Sequence, residues 1–269
     1  MPGDHRLRIE ANRPVSASCF LLTLASDSDL PPWEPGQFAM ICTGDRTDPL
    51  LRRPFSIYNL CDPAERGRKV QILYKVVGRG TAILASMRSG ETLRALLPLG
   101  RGFAPVRDRG DQIVLVAGGV GVASLHSLGA AELRSGGSPL LLFGCRTAAE
   151  ISVAAPTRDL GIETIISTDD GSAGFHGLVP VLLDATLRDR GAGGRIVCAC
   201  GPMPMMKAVA EIASRHGARC YLSLESTMGC GFGVCSGCVI GVRRAPGEPL
   251  SYRRTCIDGP VMDASEVLS

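Results

Sequence analysis

The sequence is poor in aromatic residues and has no long apolar segment. Only 4% of its 269 residues are aromatic. No run of about eighteen apolar residues occurs, so no helix is expected to span a membrane. Net charge is only +3 and no block of like charge occurs, which argues against a nucleic-acid-binding surface. The N-terminal segment lacks an apolar core, so no signal peptide is expected and the chain is predicted to be cytoplasmic.

The sequence also lacks a constellation for catalysis on a small organic substrate. Its histidines, His5, His126, His176 and His216, are scattered, and neither a Ser/His/Asp pattern nor HExxH is present. His126 lies in a helical segment and is interpreted as a structural residue with a satisfied side chain rather than as a base. Any chemistry is therefore expected to come from bound cofactors, with the protein supplying orientation and electrostatics.

Cysteine, by contrast, is abundant, and its spacing carries the clearest chemical signal. Cys230, Cys235, Cys238 and Cys256 follow the pattern C-x4-C-x2-C with a later fourth cysteine, which is typical of a plant-type [2Fe–2S] cluster. Glycines between these ligands let backbone N–H groups approach the sulfurs. A structural zinc site is an alternative, but such sites usually show two CxxC pairs. A chance grouping of four cysteines is the third interpretation.

The remaining cysteines are expected to be buried free thiols, which fit a reducing cytosol better than disulfides do. Most of them lie inside apolar, strand-like runs: Cys19, Cys42, Cys61, Cys145, Cys198, Cys200 and Cys220.

The chain is long enough for two or three compact domains, and its pattern changes along its length. In residues 1–105, short alternating or apolar runs predict a small antiparallel β-barrel with one helix, Thr81–Met87. Its expected strands are Ser16–Leu24, Gln37–Cys42, Pro54–Asn59, Val70–Val77 and Leu93–Leu97. In residues 106–224, strands alternate with helices, which predicts a parallel sheet covered on both faces. Residues 225–269 form the third, cysteine-bearing domain.

Two short motifs in the first domain suggest anion binding. Arg53, Pro54, Phe55 and Ser56 place a guanidinium, a planar ring and a hydroxyl at the start of a strand. The segment Gly78–Thr81 opens a helix, where free N–H groups and the helix dipole favour an anion. Taken alone, Arg53 could be a surface charge, and Gly78 and Gly80 could simply end a strand. The two motifs together, in this order along the chain, are a more specific indication of a binding site.

Two further motifs lie in the middle domain. The apolar strand Gln112–Ala117 runs into Gly118, Gly119 and Gly121, a turn of the kind where a pyrophosphate meets a helix N-terminus. This turn differs from the usual dinucleotide spacing and is weak by itself. A later strand ends at Cys200-Gly201-Pro202, at the carboxyl edge of the predicted sheet, where ligands bind in such folds.

Taken together, these motifs make the chain resemble the ferredoxin–NADP reductase superfamily over nearly its whole length. Four motifs carry the resemblance: Arg53–Ser56, Gly78–Thr81, Gly118–Gly121 and Cys200–Pro202. The C-terminal cysteines narrow it to the electron-transfer subunits of NAD-dependent dihydroorotate dehydrogenases. Leu51–Pro54, Pro98–Phe103 and Cys256–Val261 support that narrower resemblance. Related transhydrogenase subunits commonly replace one cluster cysteine, whereas all four are present here.

The resemblance implies FAD in the barrel and NAD on the parallel sheet. Arg53 would pair with the pyrophosphate, Pro54 and Phe55 would pack at the flavin ring, and Ser56 would hydrogen-bond it. Phe55 replaces the tyrosine of many flavin reductases, so a hydrogen bond is lost but stacking is not. The other implied contacts with FAD are Leu73, Tyr74, Lys75, Gly80 and Thr81. The NAD contacts would be Gly118, Gly119, Gly121, Gly201 and Pro202, with Cys200 at the reactive nicotinamide ring.

The segment Thr168–Gly171 stands where the adenosine of the nicotinamide cofactor would be bound. Asp169 and Asp170 would repel a 2′-phosphate, which favours NAD over NADP. Asp-Asp-Gly is also an ordinary turn sequence.

The function implied is an electron-transfer subunit. Its partner would be an FMN-containing dihydroorotate dehydrogenase catalytic subunit, and electrons from dihydroorotate would pass through the cluster and FAD to NAD. A hetero-oligomer with two copies of each chain is expected. A similar flavin and iron–sulfur module serving a hydrogenase, a ferredoxin transhydrogenase or an oxygenase is the alternative, and a zinc-stabilised binding module is the remote one.

Overall fold

A computed structural model describes residues 2–43, 48–58, 68–103, 112–191, 193–243 and 248–267. The N-terminal part forms an antiparallel sheet of six strands in the order β4-β3-β6-β1-β2-β5, with one helix, α1. Its elements are β1 (Gly3–Pro14), β2 (Cys19–Ala25), β3 (Phe38–Cys42), β4 (Arg53–Ser56), β5 (Lys69–Lys75), α1 (Arg79–Ser86) and β6 (Thr92–Leu99). The predicted small antiparallel barrel is confirmed.

Strand β1 was not among the expected strands. Its central part, from Arg6 to Ala11, alternates between charged and apolar residues, and Leu7 and Ile9 are fully buried while Arg6 and Arg8 face solvent. Such a period of two defines a half-buried strand. The prediction was wrong here because the run is rich in charge, although every second side chain enters the core.

The two ends of this sheet approach each other and nearly close the barrel. Beyond the end of β4, the N–H of Tyr58 donates to the carbonyl of Gln71 in β5, at 2.9 Å. The rings of Phe55 and Tyr74 meet edge-to-face at 5.8 Å. Strands β4 and β5 carry most of the predicted flavin contacts, so this closure brings the two sets together.

The middle of the chain forms a second sheet, in the order β10-β9-β8-β7-β11-β12-β15. Its elements are β7 (Gln112–Gly118), α2 (Val122–Arg134), β8 (Leu140–Cys145), α3 (Ala155–Arg158), β9 (Glu163–Thr168), β10 (Phe175–His176), α4 (Val179–Arg190), β11 (Arg195–Cys200), α5 (Met203–Arg215) and β12 (Arg219–Ser223). All pairs from β10 to β12 are parallel. The strand order reverses between β7 and β11, the place where ligands bind in open α/β sheets.

The C-terminal segment is tied to both sheets. After the hairpin of β13 (Val239–Val242) and β14 (Ser251–Arg254), strand β15 (Val261–Asp263) pairs antiparallel with β12 and leads into α6 (Ala264–Val267). The N–H of Arg101, just after the barrel, donates to the carbonyl of Gly259 at 2.5 Å. The cysteine-bearing segment therefore adds a strand to the second sheet.

A shared hydrophobic core joins the barrel to the second sheet. Cys19, Leu21 and Leu73 from the barrel belong to the same buried cluster as Leu115 and Phe143. The barrel and the second sheet therefore share part of their hydrophobic core.

His126 also belongs to this junction. Its ring stacks on that of Tyr58 at 3.9 Å, and its Nδ1 shares a hydrogen bond with the Thr157 hydroxyl at 2.9 Å. Burial, and then the Arg134 charge, lower the pKa of His126 to about 4. Its interpretation as a satisfied structural residue is confirmed.

No disulfide joins any of the described cysteines. Of those expected to be buried free thiols, Cys19, Cys145, Cys198, Cys200 and Cys220 are buried and Cys42 is half-buried. Cys61 lies outside the described residues, as does Asn59, the last residue of the expected strand Pro54–Asn59. Within the described part of the chain, no helix is long and apolar enough to cross a membrane.

Candidate functional site

A cavity of about 540 Å³ lies where the barrel, the second sheet and the C-terminal segment meet. This volume falls within the usual range for small-molecule and cofactor pockets. The cavity is lined by β4 and β5 on one side and by the carboxyl ends of β11 and β12 on the other. Of the predicted residues, it brings together Arg53, Pro54, Phe55, Ser56, Leu73, Tyr74, Lys75, Thr81 and Cys200.

The two predicted anion motifs meet at one end of this cavity. A Cβ built on Gly80 would lie 2.5 Å from Nε of Arg53, so the guanidinium rests directly on the glycine. Gly80 lies in the first turn of α1, whose N–H groups have no acceptor within the helix. A cationic side chain and free amide donors side by side suit a phosphate.

The hydroxyl of Thr81 forms its hydrogen bonds within the protein. Its Oγ1 accepts hydrogen bonds from the N–H groups of Val77, at 2.9 Å, and Gly78, at 3.1 Å. It also donates to the carbonyl of Gly78 at 2.9 Å. The hydroxyl therefore stabilises the turn before α1, which leaves the helix N–H groups as the donors toward a phosphate.

The aromatic wall of the cavity is held rigidly. The hydroxyl of Tyr74 donates to Oδ1 of Asn12 at 3.1 Å, and its ring stacks on Phe20 at 5.7 Å. Burial raises the pKa of Tyr74 to about 12, so its hydroxyl stays protonated at neutral pH. Phe55 packs against the same ring and is thereby fixed at the cavity edge.

Glycines permit close approach of backbone where the turns after β7 and β11 meet, beside the cavity-lining residues Val120 and Cys200, although the glycines themselves do not line the cavity. A Cβ on Gly121 would overlap the carbonyl of Cys200, and one on Gly118 would meet Met205 and Pro202. The turns after β7 and β11 therefore lie against each other at the point where the strand order reverses. Gly119 adopts a φ of +53° and has open space beside it, so a ligand can approach its backbone closely.

Glu225 lies in the cavity wall and was missed by the sequence analysis, together with Ser223 and Met228. Its side chain is exposed to the open cavity, yet the surrounding protein displaces enough water to raise the pKa of its carboxyl. A carboxylate directly after the last parallel strand, β12, was the available signal, because such positions lie at the ligand-binding edge of the sheet.

The predicted adenosine-binding segment lies at the carboxyl end of β9. Asp170 accepts hydrogen bonds from the N–H of Ser172, at 2.9 Å, and from its hydroxyl, at 2.5 Å. These bonds lower the pKa of Asp170, so the carboxylate is charged at neutral pH. Asp169 and Asp170 are exposed and free to face a ligand, while the bonds to Ser172 also define an ordinary turn.

The four predicted cluster cysteines lie together in two pairs. In the first pair, the N–H of Cys235 donates to the sulfur of Cys230 at 3.4 Å. In the second, the sulfurs of Cys238 and Cys256 are 3.2 Å apart. Among the described residues, no three His, Cys, Asp or Glu side chains converge as the ligands of one metal ion. Pairing suits a two-iron cluster better than a single zinc ion, because each iron takes two of the four thiolates.

The cysteine loop fits the requirements of thiolate ligands. Desolvation raises the pKa of the Cys230 thiol, but N–H groups of Cys235, Phe232 and Val234 outweigh it and lower the pKa to about 6. The loop also sits tightly on the barrel, since a Cβ on Gly231, whose φ is +83°, would overlap Met40. The donor set and the close backbone therefore fit a cluster at this position.

One hydrophobic cluster connects the cavity to two of the cysteines. Phe38 and Met228 line the cavity, and both are buried in the same cluster as Cys238 and Cys256. The predicted flavin site and the predicted iron–sulfur site therefore border the same small core.

The outer side of the cysteine loop faces solvent. Phe232 is 50% exposed and Val234 76% exposed, and Cys235 is exposed as well. The guanidinium of Arg254 donates to the carbonyl of Gly233 at 2.8 Å and holds the loop on the β13–β14 hairpin. Phe232 therefore lies on the surface rather than in the core.

Comparison with known proteins agrees with this architecture. Residues 225–268 match the family model described as the iron-sulfur cluster binding domain of dihydroorotate dehydrogenase B. The chain is also similar to a solved structure of the NADH-dependent reduced ferredoxin–NADP oxidoreductase, with a TM-score of 0.80 and 27% identity. That match covers 97% of this chain and 89% of the other.

Two relatives align over the whole length of both chains. The protein of Geobacillus thermodenitrificans (strain NG80-2) is 37% identical over 269 residues, and that of Bacillus caldolyticus is 36% identical over 269 residues. Both are named dihydroorotate dehydrogenase B (NAD(+)), electron transfer subunit. With full-length identity above 30%, a matching cysteine domain and a shared fold, this chain belongs to the family of dihydroorotate dehydrogenase B (NAD(+)) electron transfer subunits.

Proposed function

We propose that this chain passes electrons from the FMN of a partner through a [2Fe–2S] cluster and FAD to NAD+, supporting the oxidation of dihydroorotate to orotate. The observation that carries this proposal is the hydrophobic cluster that Phe38 and Met228 of the cavity share with Cys238 and Cys256. The cavity and these two cysteines therefore adjoin one core. Bound FAD supplies the exchange between a hydride, given to NAD+, and single electrons, taken from the cluster.

The residues of the chain bind and orient these groups. Arg53 and the N–H groups of Gly80 and Thr81 hold the FAD pyrophosphate, while the wall from Pro54 to Ser56 and from Leu73 to Lys75 fixes the ring. The backbones of Gly118, Gly119, Gly121, Gly201 and Pro202 receive NAD, with Cys200 at the nicotinamide. The cluster takes its thiolates from Cys230, Cys235, Cys238 and Cys256.

This division of labour follows the three segments 1–105, 106–224 and 225–269. The first binds FAD, the second binds NAD and the third holds the cluster. The first boundary falls among residues outside the described part of the chain, and the second precedes the matched segment that starts at residue 225. The buried free thiols also support a cytoplasmic location.

The partner is proposed to be an FMN-containing dihydroorotate dehydrogenase catalytic subunit, in a complex with two copies of each chain. The relatives are named electron transfer subunits, which implies a catalytic partner that binds the organic substrate. The exposed tip of the cysteine loop, Phe232 and Val234, is the proposed contact surface, because an apolar, half-exposed aromatic residue beside the cluster suits an interface.

The test is reconstitution. The purified chain should reduce artificial dyes with NADH and should not oxidise dihydroorotate. Mixed with the catalytic subunit from the same source, it should support dihydroorotate-dependent reduction of NAD+. Dihydroorotate oxidation by the isolated chain, or no NAD+ reduction by the mixture, would contradict the proposal.

A matched pair of variants tests the contact surface. Phe232→Glu should weaken the coupled activity and leave NADH-to-dye turnover intact. Val181→Glu is the control, since Val181 is similarly exposed, at 54%, on α4 of the NAD-binding segment. Equal coupled rates in both variants would place the docking surface elsewhere.

A further inference from the structure

Two loops meet at the carboxyl ends of β8 and β9, on the two strands that follow β7 in the order of the sheet. The N–H of Asp170 donates to the carbonyl of Arg146 at 3.2 Å. In the other direction, the N–H of Ala148 donates to the hydroxyl of Ser172 at 2.7 Å. The two loops therefore form one ordered rim on the ligand-binding edge of the sheet.

The arginine of this rim is already bound within its own loop. Nη2 of Arg146 donates to Oε1 of Glu150 at 2.7 Å, and Nε donates to the same oxygen at 3.2 Å. The backbone N–H of Arg146 also lies 3.4 Å from Oε2 of Glu150. The side chain of Arg146 is 72% exposed and that of Glu150 is 25% exposed. An otherwise accessible guanidinium is thus turned back onto a half-buried carboxylate.

Glu150 is ionised and is one of three carboxylates at the rim. The hydrogen bond from the Arg146 side chain lowers the pKa of Glu150, so the carboxylate is charged at neutral pH. Asp169 and Asp170 follow β9 directly and are exposed. A phosphate at this rim would therefore meet three carboxylates, and the arginine that it needs would already be paired.

The fold does not require this ion pair. An exposed pair four residues apart contributes little to stability, because water screens it and two long side chains must be ordered. A guanidinium, however, presents N–H donors in a planar fork that matches the oxygens of a phosphate. The charge state of Glu150 therefore matters more for which ligand the rim accepts than for the stability of the protein.

We propose that Glu150 is a specificity-determining residue, which excludes a nicotinamide cofactor with a 2′-phosphate by holding Arg146 and by adding a carboxylate to the rim. This inference rests on the proposed function, with the adenosine of NAD at the predicted segment 168–171. It adds to Asp169 and Asp170 a residue of the neighbouring loop, whose effect depends on its partner arginine. The uncharged ribose of NAD needs no cation there.

The test is a binding measurement on the holoprotein that requires no turnover. The probe is adenosine 2′,5′-bisphosphate, and 5′-AMP, which lacks the 2′-phosphate, is the reference ligand. Titration calorimetry should show that Glu150→Gln binds the bisphosphate roughly three- to tenfold more tightly than the wild type does, because the guanidinium is released and one carboxylate is lost. The affinity for 5′-AMP should not change.

Glu163→Gln is the matched control. Glu163 begins β9, at the opposite edge of the same sheet, and accepts a hydrogen bond from Nη2 of Arg190 at 2.6 Å. Its replacement removes an equivalent ion pair and should leave both affinities unchanged. Adding Arg146→Gln to Glu150→Gln should abolish most of the gain, since the guanidinium supplies the new phosphate contact.

A second readout is the ratio of kcat/KM for NADPH to that for NADH in dye reduction. This ratio should rise in Glu150→Gln by about the same factor as the affinity for the bisphosphate. An unchanged ratio would contradict the proposed role of Glu150.

The outcomes separate this inference from the proposed function. An unchanged affinity for the bisphosphate in Glu150→Gln would overturn the inference, as would an equal gain in Glu163→Gln. A gain that persists without Arg146 would overturn the role given to the guanidinium. In each of these cases NADH would still reduce the bound FAD. Failure of NADH to reduce FAD in the wild type would instead contradict the proposed function.

Discussion

Replacing Gly80 with alanine should stabilise helix α1 and, at the same time, weaken FAD binding. The new Cβ would lie 2.5 Å from Nε of Arg53 and 3.0 Å from its Cζ. The guanidinium must therefore move by about 1 Å to reach an ordinary contact distance. Because Arg53 is the proposed partner of the pyrophosphate, that displacement acts directly on the cofactor.

The two effects have opposite signs and similar sizes. A charge-assisted phosphate contact contributes about 1.5–3 kcal/mol, so losing roughly half of it weakens FAD binding about 4- to 12-fold. Alanine in place of glycine within a helix contributes up to about 1 kcal/mol of stability. The FAD-free variant should therefore melt at a higher temperature than the FAD-free parent.

Gly78→Ala is the control for this experiment. Gly78 precedes α1 with an extended backbone, φ −178°, and a Cβ there would meet nothing within 4 Å. FAD titration of the FAD-free proteins, followed by flavin fluorescence, gives the dissociation constants, and thermal unfolding gives the stability. An unchanged dissociation constant in Gly80→Ala, or an equal loss in both variants, would refute the proposed phosphate site.

Three further expectations follow from the same geometry. Arg53→Ala should weaken FAD binding roughly 10- to 150-fold in the same titration. The neighbouring Arg52 pairs its guanidinium with a surface aspartate, so Arg52→Ala should bind FAD normally. Cys235→Ser should lower the iron and labile-sulfide content toward zero and retain FAD, whereas replacement of the buried Cys220 by serine should leave iron and sulfide unchanged. An intact cluster in Cys235→Ser would show that Cys235 is not a ligand. Because the pKa of His126 is lowered to about 4 in the folded protein, the imidazole gains a proton only in the unfolded chain as pH falls below about 6.5. The free energy of unfolding in urea should therefore drop by about 2 kcal/mol between pH 7.5 and pH 5. His126→Gln should lose that portion of the pH dependence, and an unaltered dependence would contradict the shift.

Local patterns predicted much of this molecule. The cysteine spacing depends largely on residues close in sequence, and the structure brings the four cysteines into two contacting pairs. The glycine turns after β7 and β11 were found for the same reason, because each follows an apolar strand directly. That the motifs would surround one cavity was predicted from the family resemblance and not from the periodicity of the sequence.

The features that were missed arise between distant segments. Strand β15 joins the second sheet only because β12 presents a free edge, which no local pattern reveals. Phe38 and Met228 are separated by most of the chain, yet they belong to one hydrophobic cluster. Glu225 follows a predicted strand, but its altered environment depends on walls supplied by other segments.

The most direct test of the central claim is whether the cluster and NAD+ exchange electrons only through the FAD site. Fully reduced, anaerobic protein is mixed with excess NAD+, and the cluster is followed by electron paramagnetic resonance while NADH is followed by absorbance. The wild type should lose the reduced-cluster signal and form NADH, whereas FAD-free Arg53→Ala should retain the signal. Loss of the signal without FAD, or a persistent reduced cluster in the FAD-loaded wild type, would contradict the account.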